Sequence, residues 1–169
     1  MRKWGSPTTW FRQYIARMKR LDKTAKVPCG DCNECCKQGG ILTLDDGQVY
    51  EADKNGCCSF LEDEKCTRYS IRPEQCRIYD CRIYSLLQLD FIEPREHMAE
   101  VYRSWTPKFN TRDDTILWTA LRVIRDGTMK LNPDAIGIDE VATEILKNYL
   151  NNTKSYLDAA RNLLSNSEN

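Results

Sequence analysis

Apolar residues recur at three- and four-residue steps in two stretches of this 169-residue chain, and are sparse in the segment between them. Over residues 8–24, Trp10, Phe11, Tyr14, Ile15, Met18 and Leu21 line one side with Arg and Lys between them, which predicts a basic amphipathic helix. Residues 93–165 carry the same period. Pro94 suits a first helical position, Met98, Val101, Tyr102 and Trp105 then share a face, and Thr106-Pro107 ends the run. Thr111 and Asp114 have the spacing of a capping box. Ile116, Leu117, Ala120, Leu121 and Ile124 follow, with Gly127 as a stop signal. A last helix opens at Asn132-Pro133 or at Asp139. Its apolar face holds Val141, Ile145, Tyr149, Tyr156, Leu157, Ala160 and Leu164, with a break near Asn151. Residues 83–92 are apolar without a decisive period and fit either a strand or a helix.

The intervening segment, residues 29–82, reads differently. Gly39-Gly40, Asp46-Gly47 and Asn55-Gly56 are turn signals. Short strands are expected at Ile41–Leu44 and around Ser59–Leu61. Large aliphatic residues are too few here for a core, so the segment needs a staple, and a metal can supply one. The expected fold is therefore mainly α, with a small, irregular, cysteine-rich, metal-stapled module of short β hairpins. Three parts follow: a basic amphipathic helix in 1–28, the cysteine module in 29–82, and a helical region in 83–169 packed on it.

Charge changes this picture only locally. The chain is 30% charged with a formal net charge of zero, so as a whole it has no polyanion-binding signature. Residues 1–28 carry eight Lys/Arg against one Asp, a local charge of +7. That stretch suits a nucleic-acid or anionic-surface contact through residues 2–26, an organellar presequence, or a helix whose aromatic face packs inward while its basic side is solvated. No apolar run approaches the roughly 20 residues of a membrane span, and no secretory signal is evident, so a cytoplasmic setting is expected.

The candidate chemistry lies in the cysteines. Nine of them fall within 53 consecutive residues, beside a single histidine, His97. In a reducing compartment clustered cysteines read first as metal ligands, and an odd total argues against a fully paired disulfide framework. Cys29-x-x-Cys32-x-x-Cys35-Cys36 is the first element. Two-residue spacers let one tight turn direct two sulfurs at one ion, about 2.3 Å away for zinc. Thiolates at steps of three also open a bacterial ferredoxin run, but position 39 is Gly where that run has its fourth Cys. Adjacent Cys35 and Cys36 cannot easily serve one tetrahedral ion together, so they point to two ions or to a bridging sulfur. Cys57-Cys58, Cys66, Cys76 and Cys81 form the second element.

These residues, CGDCNECC at 29–36 and CCSFLEDEKCTRYSIRPEQCRIYDC at 57–81, resemble the CxxCxxCC cysteine-cluster family, the YkgJ-like proteins described as zinc- or iron-chelating domains. The resemblance runs through Cys58, Phe60, Leu61, Cys66, Tyr69, Arg72, Pro73, Cys76, Arg77 and Cys81. It implies eight ligands: Cys29, Cys32, Cys35, Cys36, Cys58, Cys66, Cys76 and Cys81. Cys57 is an extra, and Ser59 replaces the usual Pro. A similar motif occurs in flagellin lysine methylases, which implies that the module can be attached to an enzyme. No glycine-rich methyl-donor signature is present here, and the activity is not carried over.

Eight ionised thiolates around two divalent ions leave a net charge of −4, which needs compensation. Lys37, Lys65, Arg68, Arg72, Arg77 and Arg82 neighbour the ligands in sequence, and Arg72 and Arg77 are the candidates for hydrogen bonding to sulfur. Phe60 and Leu61 are expected to plug the small core, and Tyr69 and Tyr79 to pack at its rim. His97 reads as a surface histidine among Glu93, Glu96 and Glu100. Asp45-Asp46 and Asp113-Asp114 read as a turn and a helix start. No P-loop, dinucleotide glycine pattern, Ser/His/Asp order or HExxH occurs. The chain is thus expected to bind an iron–sulfur cluster or zinc through clustered thiolates, for electron transfer or support of a partner enzyme. The alternative is a structural zinc adaptor for protein or nucleic-acid interaction.

Overall fold

The computed structural model describes residues 2–3, 5–19, 32–37, 40–92, 96–131 and 137–167. They form helices joined by short strands and hairpins. The chain divides into two compact bodies, one of residues 1–12 and 81–169 and one of residues 13–80. The division falls inside the first helix and just before Cys81. The expected boundary at 28/29 lies outside the described residues.

The first body is helical. It holds α4 (Arg82–Leu87), α5 (Glu96–Ser104), α6 (Arg112–Leu131), α7 (Ile138–Asn151), α8 (Thr153–Ser167) and the start of α1 (Pro7–Met18). The apolar stretch 83–92, ambiguous in sequence, is helical at α4 and closes with a 3-10 turn at Asp90–Ile92. Leu86, Leu87 and Leu89 there have no exposed surface, each burial contributing about 2 kcal/mol. Long α6 packs against α7 and α8, burying Ile116, Ala120 and Ala160 together, with Tyr156, Leu157 and Leu164 around them. The expected break near Asn151 is the junction of α7 and α8. Gly127 does not stop α6, which continues to Leu131. A Cβ built at Gly127 would meet nothing within 4 Å, so the glycine has no steric purpose there and the packed helix overrides its weak propensity.

One buried carboxylate organises the helix starts. Asp114 Oδ2 accepts from the backbone N–H of Thr111 at 3.1 Å, while Thr111 Oγ1 accepts from the N–H of Asp114 at 3.2 Å. This is the expected capping box of α6. Asp114 Oδ1 also accepts from Ser6 Oγ at 2.6 Å and from the Thr8 N–H at 2.9 Å, so the same side chain caps α1. Trp105 was expected on the α5 face; it lies instead in strand β6 (Trp105–Thr106), paired in parallel with β1 (Arg2–Lys3) in the register Arg2 to Trp105.

The second body is built from two antiparallel hairpins and two very short helices. Strands β2 (Leu42–Thr43) and β3 (Val49–Tyr50) meet through a turn containing Asp46-Gly47, with Gly47 at φ 88°. Strands β4 (Leu61–Glu62) and β5 (Lys65–Cys66) meet through Asp63 and Glu64, both in the left-handed region. That second turn has no glycine to announce it. Helices α2 (Glu34–Lys37) and α3 (Glu74–Ile78) complete the body. Among its described residues only Tyr14 and Leu44 are buried hydrophobics, joined by Pro73. Phe60 and Leu61, expected as a plug, are only half-buried. Phe60 lies 4.8 Å from the Tyr50 ring and beneath the Arg68 guanidinium at 4.6 Å.

Candidate metal centre

Short polar ties, rather than an apolar core, position the cysteines of the second body. Helix α2 carries Cys35 and Cys36. It is strapped to the Asp63-Glu64 turn by Asn33 Nδ2, which donates to Glu64 at 2.6 Å, and by Lys37 Nζ, which pairs with Glu64 at 2.9 Å. The Cys58 N–H donates to the Cys36 carbonyl at 2.7 Å, bringing the two cysteine pairs together along the backbone. Asp53 Oδ1 accepts from the N–H groups of Asn55 and Cys57 at 2.8 Å each, shaping the turn that leads into Cys57-Cys58. Cys66 sits in β5. Cys76 sits in α3, whose first N–H, from Glu74, donates to Asp45 Oδ1 at 2.7 Å. Gln75 ties α3 to the first hairpin through the Thr43 N–H and the Ile41 carbonyl.

The thiols feel one another. Cys35 is pulled below the ordinary thiol range by a hydrogen bond from Cys36, with Arg72 contributing. Cys36 is pushed up, first by that bond, then by burial and by the charges of Cys35, Cys66 and Cys58. Of this adjacent pair, Cys35 thus carries the negative charge first and Cys36 keeps its proton. Cys76 is pushed up to about 11 by burial and by the charges of Cys35, Cys58 and Cys66, with Arg72 opposing. Cys35, Cys36, Cys58, Cys66 and Cys76 therefore share one electrostatic neighbourhood. Cys57 Sγ donates to the Lys37 carbonyl at 3.8 Å.

The two arginines differ. Arg72 stacks over Tyr69 at 4.1 Å and acts on Cys35 and Cys76. Arg77 is engaged elsewhere: Nη2 pairs with Asp45 at 2.9 Å and Nη1 donates to the Arg72 carbonyl. Arg77 thus braces the loop that presents Arg72, and Asp45, read in sequence only as a turn residue, is the anchor. Lys37 pairs with Glu34 and Glu64, and Arg68 lies on Phe60.

Cys29 lies outside the described residues. Cys32 is half-buried beside α2. Cys81 belongs to the first body, where it is buried and accepts a hydrogen bond from Trp105 Nε1 at 2.9 Å. Arg82 is buried there too, with its guanidinium 5.0 Å from the Trp10 ring and 5.7 Å from the Trp105 ring. The side chain of His97 lies outside the described residues.

An all-thiol donor set with a cation beside it suits a thiophilic metal, zinc or iron–sulfur. Among the described residues no group of three or more His, Cys, Asp or Glu side chains is gathered closely enough to hold an ion. The fit is one of donor chemistry and neighbourhood, without a closed coordination polyhedron.

The basic helix is partly committed inside the protein. Arg17 was counted among its solvated cations; it is 4% exposed and Nη2 pairs with Asp80 Oδ2 at 2.6 Å. A lone Arg on a helix and an Asp 63 residues later carry no sequence signal for that pairing. Trp10, Phe11 and Tyr14 are buried, as an inward aromatic face requires, whereas Met18 is exposed and Leu21 lies outside the described residues. No described helix is long and apolar enough to cross a membrane. No protein family, curated protein or solved structure matches the chain, so the resemblance to the CxxCxxCC family rests on the motif residues themselves.

Proposed function

We propose that the chain is a metal-binding protein whose residues 29–81 hold an iron–sulfur cluster or zinc through clustered cysteine thiolates. The observation that carries this reading is that Cys35, Cys36, Cys58, Cys66 and Cys76 stand on four segments of one body, with the Cys58 N–H bonded to the Cys36 carbonyl at 2.7 Å and Arg72 acting on Cys35 and Cys76. A cation among these thiols would take up their charge as they lose their protons, a step that the Cys35 bond opposes at Cys36 and burial opposes at Cys76. Cys32, together with Cys29 and Cys81 as the motif implies, completes the proposed ligand set. Arg72 supplies charge compensation and Arg77 holds Arg72 in place. An iron–sulfur cluster would supply one-electron chemistry, for electron transfer or support of a partner enzyme. A cytoplasmic, reducing setting keeps the thiols available for either metal.

A second reading, a structural zinc adaptor for protein or nucleic-acid contact, is favoured by the small apolar core among the described residues of the second body. With two buried hydrophobics among them, the described residues of that body gain little from apolar burial, and a structural metal supplies the missing free energy. For a nucleic-acid partner Arg12 and Lys19 remain exposed on and just after α1, while Arg17 does not.

Anaerobic purification followed by visible absorption and assay of iron, zinc and labile sulfide separates the two. Brown protein containing iron and sulfide supports the redox reading. Colourless protein with about one or two zinc ions supports the adaptor. Folded protein that purifies and reconstitutes without either metal rejects both.

A further inference from the structure

We infer that Phe109, Trp118 and Arg122 form a stacking strip on the first body that takes the bases of a single-stranded nucleic acid, with Lys108 and Arg122 meeting its phosphates. The inference is independent of the metal reading and of the basic segment at residues 2–26. Trp118 and Arg122 stand one turn apart on α6 and so share a face. The Arg122 guanidinium lies over the indole, 4.7 Å from its centre. The Phe109 ring lies 5.3 Å from the same indole, tilted by 53°. Phe109 comes from the loop between β6 and α6, and its neighbours in that loop are pinned. The N–H groups of Asn110 and Thr111 both donate to Asp114 Oδ2 at 3.1 Å. The buried carboxylate that caps α6 therefore also fixes the backbone that presents the phenyl ring.

Exposure and charge say what the strip fits. Phe109 is 40% exposed, and Trp118 and Arg122 are half-buried, so ring surface stays open to solvent. Elsewhere on this body Arg103, Arg125 and Arg161 pair with Asp90, Asp126 and Asp158. Among the described residues, neither Lys108 nor Arg122 has a carboxylate partner. Stacking uses one face of the Arg122 guanidinium and leaves its N–H groups available to an oxygen anion. Rings beside unpaired cations match the alternation of base and phosphate along one strand. Bases stack on aromatic faces and on guanidinium planes, and lysine and arginine track the backbone. A polyanion without bases has no use for the exposed phenyl ring. A duplex keeps its bases stacked on one another and cannot offer them to the strip.

The test titrates the full chain with a fluorescent single-stranded oligothymidylate of about ten nucleotides and reads anisotropy. Salt is varied between about 50 and 200 mM. Wild-type protein is expected to bind with a log–log salt slope of about −1.4, from two phosphate contacts at about 0.7 each. Phe109→Ala is expected to weaken binding by on the order of 10-fold and to leave the slope unchanged, since it removes a stacking ring and no charge. Arg122→Gln is expected to weaken binding and to reduce the size of the slope by about 0.7. The same strand annealed to oligoadenylate is expected to bind more weakly than the single strand. Thermal melting checks that both variants fold. Wild-type protein that does not bind at low salt overturns the proposal, as do folded variants that keep wild-type affinity and slope. Inorganic polyphosphate bound as tightly as the oligonucleotide also overturns it, because that probe has the charge without the bases. A measurement on wild-type protein covers the case of a variant that does not fold. Backbone and ring resonances of residues 108–122 are expected to shift on addition of the oligonucleotide; shifts confined to residues 2–26 overturn the proposal.

Discussion

Cys57 and Cys76 differ in surroundings, and that difference is testable. Cys76 lies in α3 within the field of three other thiols and Arg72, whereas the Cys57 sulfur rests near a carbonyl. Cys76→Ser is expected to abolish metal retention and the order of the second body. Cys57→Ser is expected to leave metal content within about a tenth of wild type and to cost well under about 1 kcal/mol, as a substitution away from the ligand set does. Metal assay with circular dichroism checks both, and equal damage would show that the ligand set is wrongly drawn. Asp114 is the other residue on which much depends. Its carboxylate is buried; desolvation alone would raise its pKa, but hydrogen bonds from Ser6, Thr8 and Asn110 overcome this and hold it well below the usual carboxylate range. The folded pKa is thus depressed, so the stabilisation is present above the unfolded value of about 3.9 and lost as pH falls below it. Asp114→Asn presents an amide donor to two backbone N–H groups and is expected to cost about 3 kcal/mol. Urea titrations at neutral pH and near pH 3 check this: the gap between wild type and variant should narrow in acid.

At the scale of elements, the regular helices follow local rules and the short ones do not. Helix α6 starts at its capping box and tolerates Gly127 in its fifth turn. Gly127 is exposed and open to a Cβ, so Gly127→Ala is expected to stabilise the protein by about 0.5–1 kcal/mol, read as a raised melting temperature. Helices α2 and α3, of four and five residues, are too short to form by propensity. They exist because Asn33, Asp45, Gln75 and Glu64 tie them to the hairpins. The capping box, the α7–α8 break and the hairpin at Asp46-Gly47 were legible because each depends on residues within four positions of one another. The Asp63-Glu64 turn has no glycine or other obligate left-handed residue to announce it, and only the acidic turn of the resembled motif pointed to it. Trp105 was placed on a helix face because its spacing continues that of Met98 and Tyr102; pairing with β1 takes it into a strand.

For the whole molecule, the two bodies have different sources of stability. Among the described residues, the first buries most of the large apolar side chains and the second buries two hydrophobics. Treatment with a strong chelator is therefore expected to release amide protons across residues 32–80 while α6 and α7 stay protected, which hydrogen exchange would read segment by segment. Loss of protection everywhere at once would mean that the helical body also depends on the metal. The Arg17–Asp80 pair belongs to this scale because it joins residues far apart in sequence inside the second body. Asp80→Ala leaves a buried guanidinium without its carboxylate and is expected to cost about 3–5 kcal/mol in urea unfolding.

By itself, the sequence determined that the chain is mainly helical with short hairpins, where α6 is capped and where α7 breaks from α8, and that the cysteines are confined to residues 29–81. Periodicity, capping and cysteine spacing are local, so they are written in neighbouring residues. Only the tertiary structure decided that Arg17 is buried with Asp80, that Arg77 braces the loop bearing Arg72, that the Cys57 sulfur meets the Lys37 carbonyl, and that Cys81 takes its hydrogen bond from Trp105. Each of these depends on which desolvated charge or sulfur meets which partner across the fold. That pairing is set by burial and distance, and no spacing rule along the chain encodes it.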